Sequence, residues 1–205
     1  MLANLTCVEF LDKLASNEPV PGGGSVAALT GGIAAALAAM VANLTVGKKN
    51  YVEVSEEMEE IATRMIQMKI AFVEFIDKDA NSFDGVMKAF KLPKETDEEK
   101  AARTAAIQNG YKEAIAVPLA VAKAASEMFE MIEVVVTKGN QNAVTDGLVA
   151  AMSARTAILG ALLNVKINLS SVKDEAYVEK IKSEVEALEA FAIKREGEIL
   201  AKAAF

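Results

Sequence analysis

Apolar residues recur at helical spacing through nearly the whole chain, and no stretch of useful length alternates with a period of two. Between residues 65 and 90, Met65, Met68, Phe72, Ile76, Phe83, Val86 and Phe90 project onto one continuous stripe. Glu74, Asp77, Asn81, Asp84 and Lys88 project onto the opposite, solvent-facing side. Start and stop signals divide the rest. Thr6-x-x-Glu9 is a capping box opening a short helix to about Ser16, which Pro19 and Pro21 end. A second helix is expected from about Ser25 to Leu44, and a third from Ser55, with Glu56 and Glu57 in its first turn, to Lys91 before Pro93. Thr96-x-x-Glu99 opens another, which Pro118 should kink or restart. Its continuation reaches Lys138, with Gly139 as C-cap. Thr145 or Asp146 can cap a helix to about Leu169, and the last runs from about Asp174 to the C-terminus. With no repeat and no linker, the pattern predicts one all-α domain over residues 1–205, an up-and-down bundle of long antiparallel helices.

One helix departs from the amphipathic rule. Val26 to Val46 contains no charged residue and is long enough to span a bilayer. Its content is mostly Ala and Gly, interrupted by Thr30, Asn43 and Thr45, and no aromatic anchor precedes it. A helix apolar on every side also suits the centre of a bundle, where small residues admit close neighbours, and that placement is expected here. The segment opens with Gly22, Gly23, Gly24 and Ser25. A phosphate loop needs a lysine and a hydroxyl residue directly after its glycines, and here Val26 and Ala27 follow. Two readings remain: a flexible turn with Ser25 as N-cap, or a place where backbone approaches a ligand and unpaired N–H groups face it. Lys48 and Lys49 close the segment, either as a solvated helix end or as a local anion site.

Composition narrows the chemistry. The net charge of −7 opposes a general nucleic-acid surface. Cys7 is the only cysteine, which excludes an internal disulfide and a thiolate zinc site. The N-terminal residues lack a basic stretch followed by an apolar one, so a cytoplasmic protein is expected, with no membrane partner. With no histidine in the chain, any proton transfer falls to Asp, Glu, Lys, Tyr or a thiol.

Asp79 is the misplaced carboxylate. It falls inside the apolar stripe, between Ile76 and Phe83. It must be paired, protonated or lining a cavity: a cap or a partner of a buried cation such as Arg155, or an acid–base group. A further polar island, "GNQNAVTDG", carries Asn140 and Asp146, and is either a plain loop with a helix cap or part of a site. Asn164 and Asn168 sit one turn apart in apolar surroundings and need partners if they face inward.

Taken together, "PGGGSVAA", "LTVGKKNY", "DKDANSF", "AVPLAVA", "GNQNAVTDGLVAA" and "NVKINL" resemble the formiminotetrahydrofolate cyclodeaminase family, in order and over nearly the whole chain. The family includes the cyclodeaminase domain of bifunctional formiminotransferase-cyclodeaminases and chains described as methenyltetrahydrofolate cyclohydrolases. The resemblance implies a helical homodimer with its site at or near the subunit interface. Its folate is a substrate, and no cofactor or metal is implied. The expected activity is conversion of 5-formiminotetrahydrofolate to 5,10-methenyltetrahydrofolate and ammonia. Methenyltetrahydrofolate cyclohydrolysis and non-enzymatic folate binding are the alternatives. The family's catalytic carboxylate is the second Asp of a D-x-D-A motif, which falls on Asp79. For a folate substrate, the loop of Gly22, Gly23, Gly24 and Ser25 is assigned to either the flat pterin or the tail carboxylates. Lys48 and Lys49 are assigned to the glutamate tail, and Asn140, Asp146 and Asn164 to the pterin edge, as polar groups beside the site.

Overall fold

The computed structural model describes residues 1–203 and is helical throughout, with no strand among those residues. Among the described residues eight α-helices follow one another: α1 (Cys7–Leu14), α2 (Gly23–Thr45), α3 (Ser55–Ser82), α4 (Asp84–Phe90), α5 (Asp97–Ser126), α6 (Phe129–Lys138), α7 (Val144–Leu169) and α8 (Glu175–Leu200). Both expected capping boxes are formed, Thr6 with Glu9 and Thr96 with Glu99. The Asp174 side chain caps α8 by accepting from Tyr177 N–H. Gly139 ends α6 in extended backbone.

The uncharged helix is packed on two sides and exposed along a third, so it is not fully enclosed as a central helix would be. Packed chiefly against α3 and α7, α2 buries Ala27, Ala28, Gly31, Ala34, Ala35, Ala38 and Ala42 between them. Small residues allow this two-sided approach, and one large ring fills the gap they leave. Phe72 of α3 is fully buried, and a Cβ built on Gly31 would fall 2.5 Å from its Cε1. Direction follows from the pairs that meet. Early α2 lies against late α3 and late α7, so both neighbours run antiparallel to it. Chain order then alternates direction through α2, α3, the α5–α6 pair and α7. The bundle therefore has two ends, separated by the length of α2, about 34 Å for 23 residues.

Several boundaries differ from expectation. Helix α2 starts at Gly23 with Gly22 as its cap, so Ser25 lies inside the first turn instead of capping it. The helix expected from Ser55 to Lys91 is interrupted at Phe83, and Ser82 Oγ donates to Asp79 O just before the break. That break takes Phe83 and Phe90 out of the buried stripe, leaving both about two-fifths exposed, whereas Met65, Met68, Phe72, Ile76 and Val86 are buried as projected. Helix α5 runs unbroken through Pro118 to Ser126, and the chain restarts at Phe129. Helix α7 begins at Val144 after a 3₁₀ turn (Gln141–Ala143) that Asn140 caps, so neither Thr145 nor Asp146 is a cap. Asp77 does not simply face solvent. Its carboxylate accepts from Leu2 N–H (2.6 Å) and Ala3 N–H (3.3 Å) and holds the N-terminal turn. Helix α8 ends at Leu200, and the last two residues, where it was expected to continue, lie outside the described residues.

The Gly31–Phe72 contact gives a stability test. Gly31→Ala inserts a methyl group into a filled space and should cost about 1–3 kcal/mol in denaturant unfolding, despite the better helix propensity of Ala. A neutral or stabilising effect would show that α2 and α3 are not held at this separation.

Candidate active site

At one end of the bundle the first turn of α2 meets the end of α3, and Asp79 sits between them. The approach is close. A Cβ on Gly24 would lie 2.5 Å from Asp79 Cγ and 2.6 Å from Oδ2, so no side chain fits there. Gly24 is thus required by a neighbour and not by its own backbone angles. The first main-chain bond of α2 is Val26 N–H to Gly22 O, which leaves the earlier N–H groups free of helical partners.

Ser25 is fully buried and stands behind Asp79. Its Oγ is 3.1 Å from Asp79 Oδ2 and 3.1 Å from Ile76 O. A hydroxyl has one proton, so it donates to only one of these oxygens at a time. With Asp79 ionised, Ser25 donates to the carboxylate. With Asp79 protonated, Ser25 can accept from it and donate to Ile76 O. Burial raises the Asp79 pKa from its ordinary value of 3.8, and the hydrogen bonds from the Ser25 side chain and backbone oppose the rise without cancelling it. No cation pairs with Asp79 among the described residues. The partner suggested by sequence, Arg155, lies with its Nε 3.1 Å from Glu196 Oε2, an ion pair whose angle does not make a hydrogen bond.

The carboxylate opens onto a cleft of about 200 Å³ between the start of α2, the α3–α4 break, α5 and α7. Gly22, Gly23, Gly24 and Asn164 line it. Sequence reasoning did not assign Pro19, Phe83, Ala114, Pro118 or Asn168 to it, yet all five are there. The proline in α5 and the paired asparagines in α7 were visible signals, but only the fold shows that they share one wall. Ser25 serves the site through Asp79, since it is not exposed in the cleft.

The other expected residues belong to the opposite end of the bundle. Lys48 and Lys49 are exposed just past the C-terminus of α2. The hydrogen-bonding groups of Asn140 are committed to structure: its N–H donates to Thr45 Oγ1 (2.8 Å), Nδ2 to Leu44 O (3.0 Å), and Oδ1 accepts from Asn142 N–H. Asp146 lies in the first turn of α7, 18 residues or about 27 Å along that helix from Asn164. Within one chain none of these four reaches the Asp79 cleft.

The family model described as Formiminotransferase-cyclodeaminase matches residues 6–187. The chain is 44% identical over 188 residues to the methenyltetrahydrofolate cyclohydrolase of Methylorubrum extorquens, covering 92% of this chain and 90% of that one. It is 35% identical over 179 residues to the formimidoyltransferase-cyclodeaminase of Sus scrofa, covering 87% of this chain but 33% of the relative. The crystal structure of formiminotetrahydrofolate cyclodeaminase from Thermotoga maritima superposes with a TM-score of 0.87 at 33% identity, over 98% of this chain and 97% of that one.

The contact at Gly24 can be tested directly. Gly24→Ala should displace the Asp79 carboxyl from Ser25 and remove most activity, on the order of a hundredfold or more, for a shift of about 1 Å at the reacting group. Gly22→Ala is the comparison, since its Cβ would meet only Pro19 O at 3.5 Å, and it should be much milder. Equal effects of the two changes would contradict the steric account.

Proposed function

Because the chain belongs to the formiminotransferase-cyclodeaminase family, and is an enzyme of folate one-carbon metabolism with cyclodeaminase or cyclohydrolase chemistry, we propose that Asp79 moves the protons at the carbon that bridges two folate nitrogens. The observation that carries this reading is a carboxyl with a raised pKa and no cation partner among the described residues, facing a cleft. In 5-formiminotetrahydrofolate, whose amidine is protonated as an amidinium ion, the anilino nitrogen attacks the amidinium carbon. A C–N bond forms, and the C=N electron pair moves onto the terminal nitrogen. Asp79 takes the proton from the attacking nitrogen and returns it to the amine. The C–N bond to the amine then breaks and ammonia leaves with the bonding pair. A partly buried carboxyl has its pKa moved towards the working range for both halves of that transfer. Ser25 can follow each change of charge by turning its one proton.

The cyclohydrolase reading is favoured by the 44% identity to a protein of that name over nearly both lengths. There water attacks the methenyl carbon and loses a proton to Asp79, which passes it to the nitrogen that departs as the C–N bond breaks; the remaining hydroxyl proton is then released to Asp79 and solvent as the formyl C=O forms. Supplying formimino- and methenyl-folates separately, with methenyl absorbance and ammonia followed, divides the two. Ammonia release from the first supports the cyclodeaminase, and loss of methenyl absorbance from the second alone supports the cyclohydrolase. No turnover of either contradicts both. The relatives with a formimidoyltransferase part are about three times as long as the matched segment, so that second activity is not carried over.

Assembly as a homodimer belongs to the same proposal. Helix α2 presents an outward stripe without charge, including Ile33, Met40 and Leu44, and Ile66 of α3 shares a groove with the last two. A second copy is the occupant that answers both this face and the separated site residues. With a two-fold axis across the middle of α2, the partner's helix runs antiparallel. The Lys48–Lys49 end of each chain then comes to the Asp79 end of the other, where two ammonium groups can hold an anionic tail. A cytoplasmic location accords with this metabolism.

Two expected outcomes follow. Asp79→Asn keeps the shape but cannot carry a proton, and should lower kcat by about two to four orders of magnitude. Because the folded pKa is raised, the carboxyl costs no stability below pH 3.8 and costs progressively more as pH rises to the folded value. The Asn variant should therefore be at least as stable as wild type at neutral pH. Strong destabilisation with kcat retained would make Asp79 structural. For the shared site, an Asp79→Asn chain mixed and re-associated with a Lys48→Gln, Lys49→Gln chain should recover about a quarter of wild-type activity at low substrate, through hybrid dimers with one intact site. A mixture no better than its two parents contradicts the two-chain site.

A further inference from the structure

The wall opposite Asp79 contains a polar device that the proton chemistry does not use. Pro118 has no N–H, so the carbonyl four residues earlier, Ala114 O, has lost its helical donor. Ala114 is buried, so that oxygen needs another partner. Helix α7 supplies one: Asn168 Nδ2 lies 3.5 Å from Ala114 O and 3.1 Å from Asn164 O. Two carbonyl oxygens face this end of the amide, and only the nitrogen can donate to them, which fixes its orientation. Asn164 is set in the same sense, its Nδ2 donating to Gly160 O at 2.9 Å. Neither Oδ1 accepts a hydrogen bond from the described residues, and neither is among the buried atoms left without a partner. Both residues line the cleft, one helical turn apart on α7 with their Cβ atoms roughly 6 Å from each other, and both amide oxygens are left without a donor from the described residues.

Two fixed acceptors on one wall match a ligand edge that carries N–H donors. On the folate reading, which this inference rests on, that edge is the 2-amino group and lactam N–H of the pterin. Asn164 is the nearer to Asp79, because its Nδ2 lies 3.6 Å from where a Gly23 Cβ would be, beside Gly24. Asn168 is the farther, which suits a donor remote from the reacting nitrogens. We propose that Asn168 is a specificity-determining residue that accepts a hydrogen bond from the pterin amino edge, and that Pro118 is its positioning residue, acting by leaving Ala114 O open to the amide.

The test is binding of tetrahydrofolate and of an analogue with the 2-amino group replaced by methyl, measured by calorimetry together with thermal unfolding. Wild type should prefer the amino compound. Asn168→Ala should weaken the amino compound about tenfold, leave the methyl compound little changed, and so abolish the preference. Pro118→Ala returns a backbone donor to Ala114 O. It should keep or raise Tm while shrinking the preference, a combination that a purely structural proline would not give. A preference that survives in both variants overturns the proposal, as does equal weakening of both ligands with a fall in Tm. If wild type binds neither compound, the folate reading itself fails and takes this inference with it.

Discussion

The contact between the first turn of α2 and the Asp79 carboxyl sets the terms for the rest of the site. It exists because Gly24 has no side chain, and it holds a carboxyl against a helix start where main-chain N–H groups and the Ser25 hydroxyl are available. Those donors favour the anion, whereas burial favours the acid. Burial is the larger influence, so the group is raised from 3.8 and still held in one place by Ser25. A salt bridge in the same position would have fixed the charge and lowered the pKa. The absence of a neighbouring cation among the described residues is therefore as important to the chemistry as the donors are.

The same two-sided packing that brings α2 against α3 and α7 also separates the polar residues into two groups. Ala and Gly let α2 pack closely between α3 and α7, and its length then stands between Gly22 and Lys48. A monomer has the proposed proton carrier, Asp79, at one end and exposed ammonium groups at the other. The proposed two-fold arrangement resolves this by symmetry and needs no bending of the helices. It also gives the uncharged outward stripe of α2 a role, because a surface of that kind is normally covered.

Much of the bundle was legible because helical period, capping boxes and prolines are local signals. Asp79 was legible for a related reason: a carboxylate on an apolar stripe violates a pattern that its neighbours obey. What escaped were effects that depend on a second element. Ser25 looked like a cap because Ser often is one, and only the position of α3 shows that its hydroxyl serves Asp79. Pro118 looked like a break because the backbone rule ignores Asn168, which offers a side-chain donor to the open carbonyl. Asn140 and Asp146 stood in a polar island that the pattern left open between a plain loop and a site, and their pterin roles came from reading the chain as a folate enzyme. Within one chain, packing places both at the far end from Asp79, where Asn140 ties the α6–α7 turn to α2.

The balance at Asp79 can be measured without substrate. A ¹³C-NMR titration of the aspartate side-chain carboxyls, with the Asp79 signal assigned by its loss in Asp79→Asn, reports the pKa directly. The account predicts a midpoint above 3.8 in wild type and a higher one still in Ser25→Ala, where burial remains and the opposing hydroxyl is gone. A wild-type midpoint at or below 3.8 would mean that the donors outweigh burial, leaving a permanently ionised carboxylate and no proton shuttle at this site.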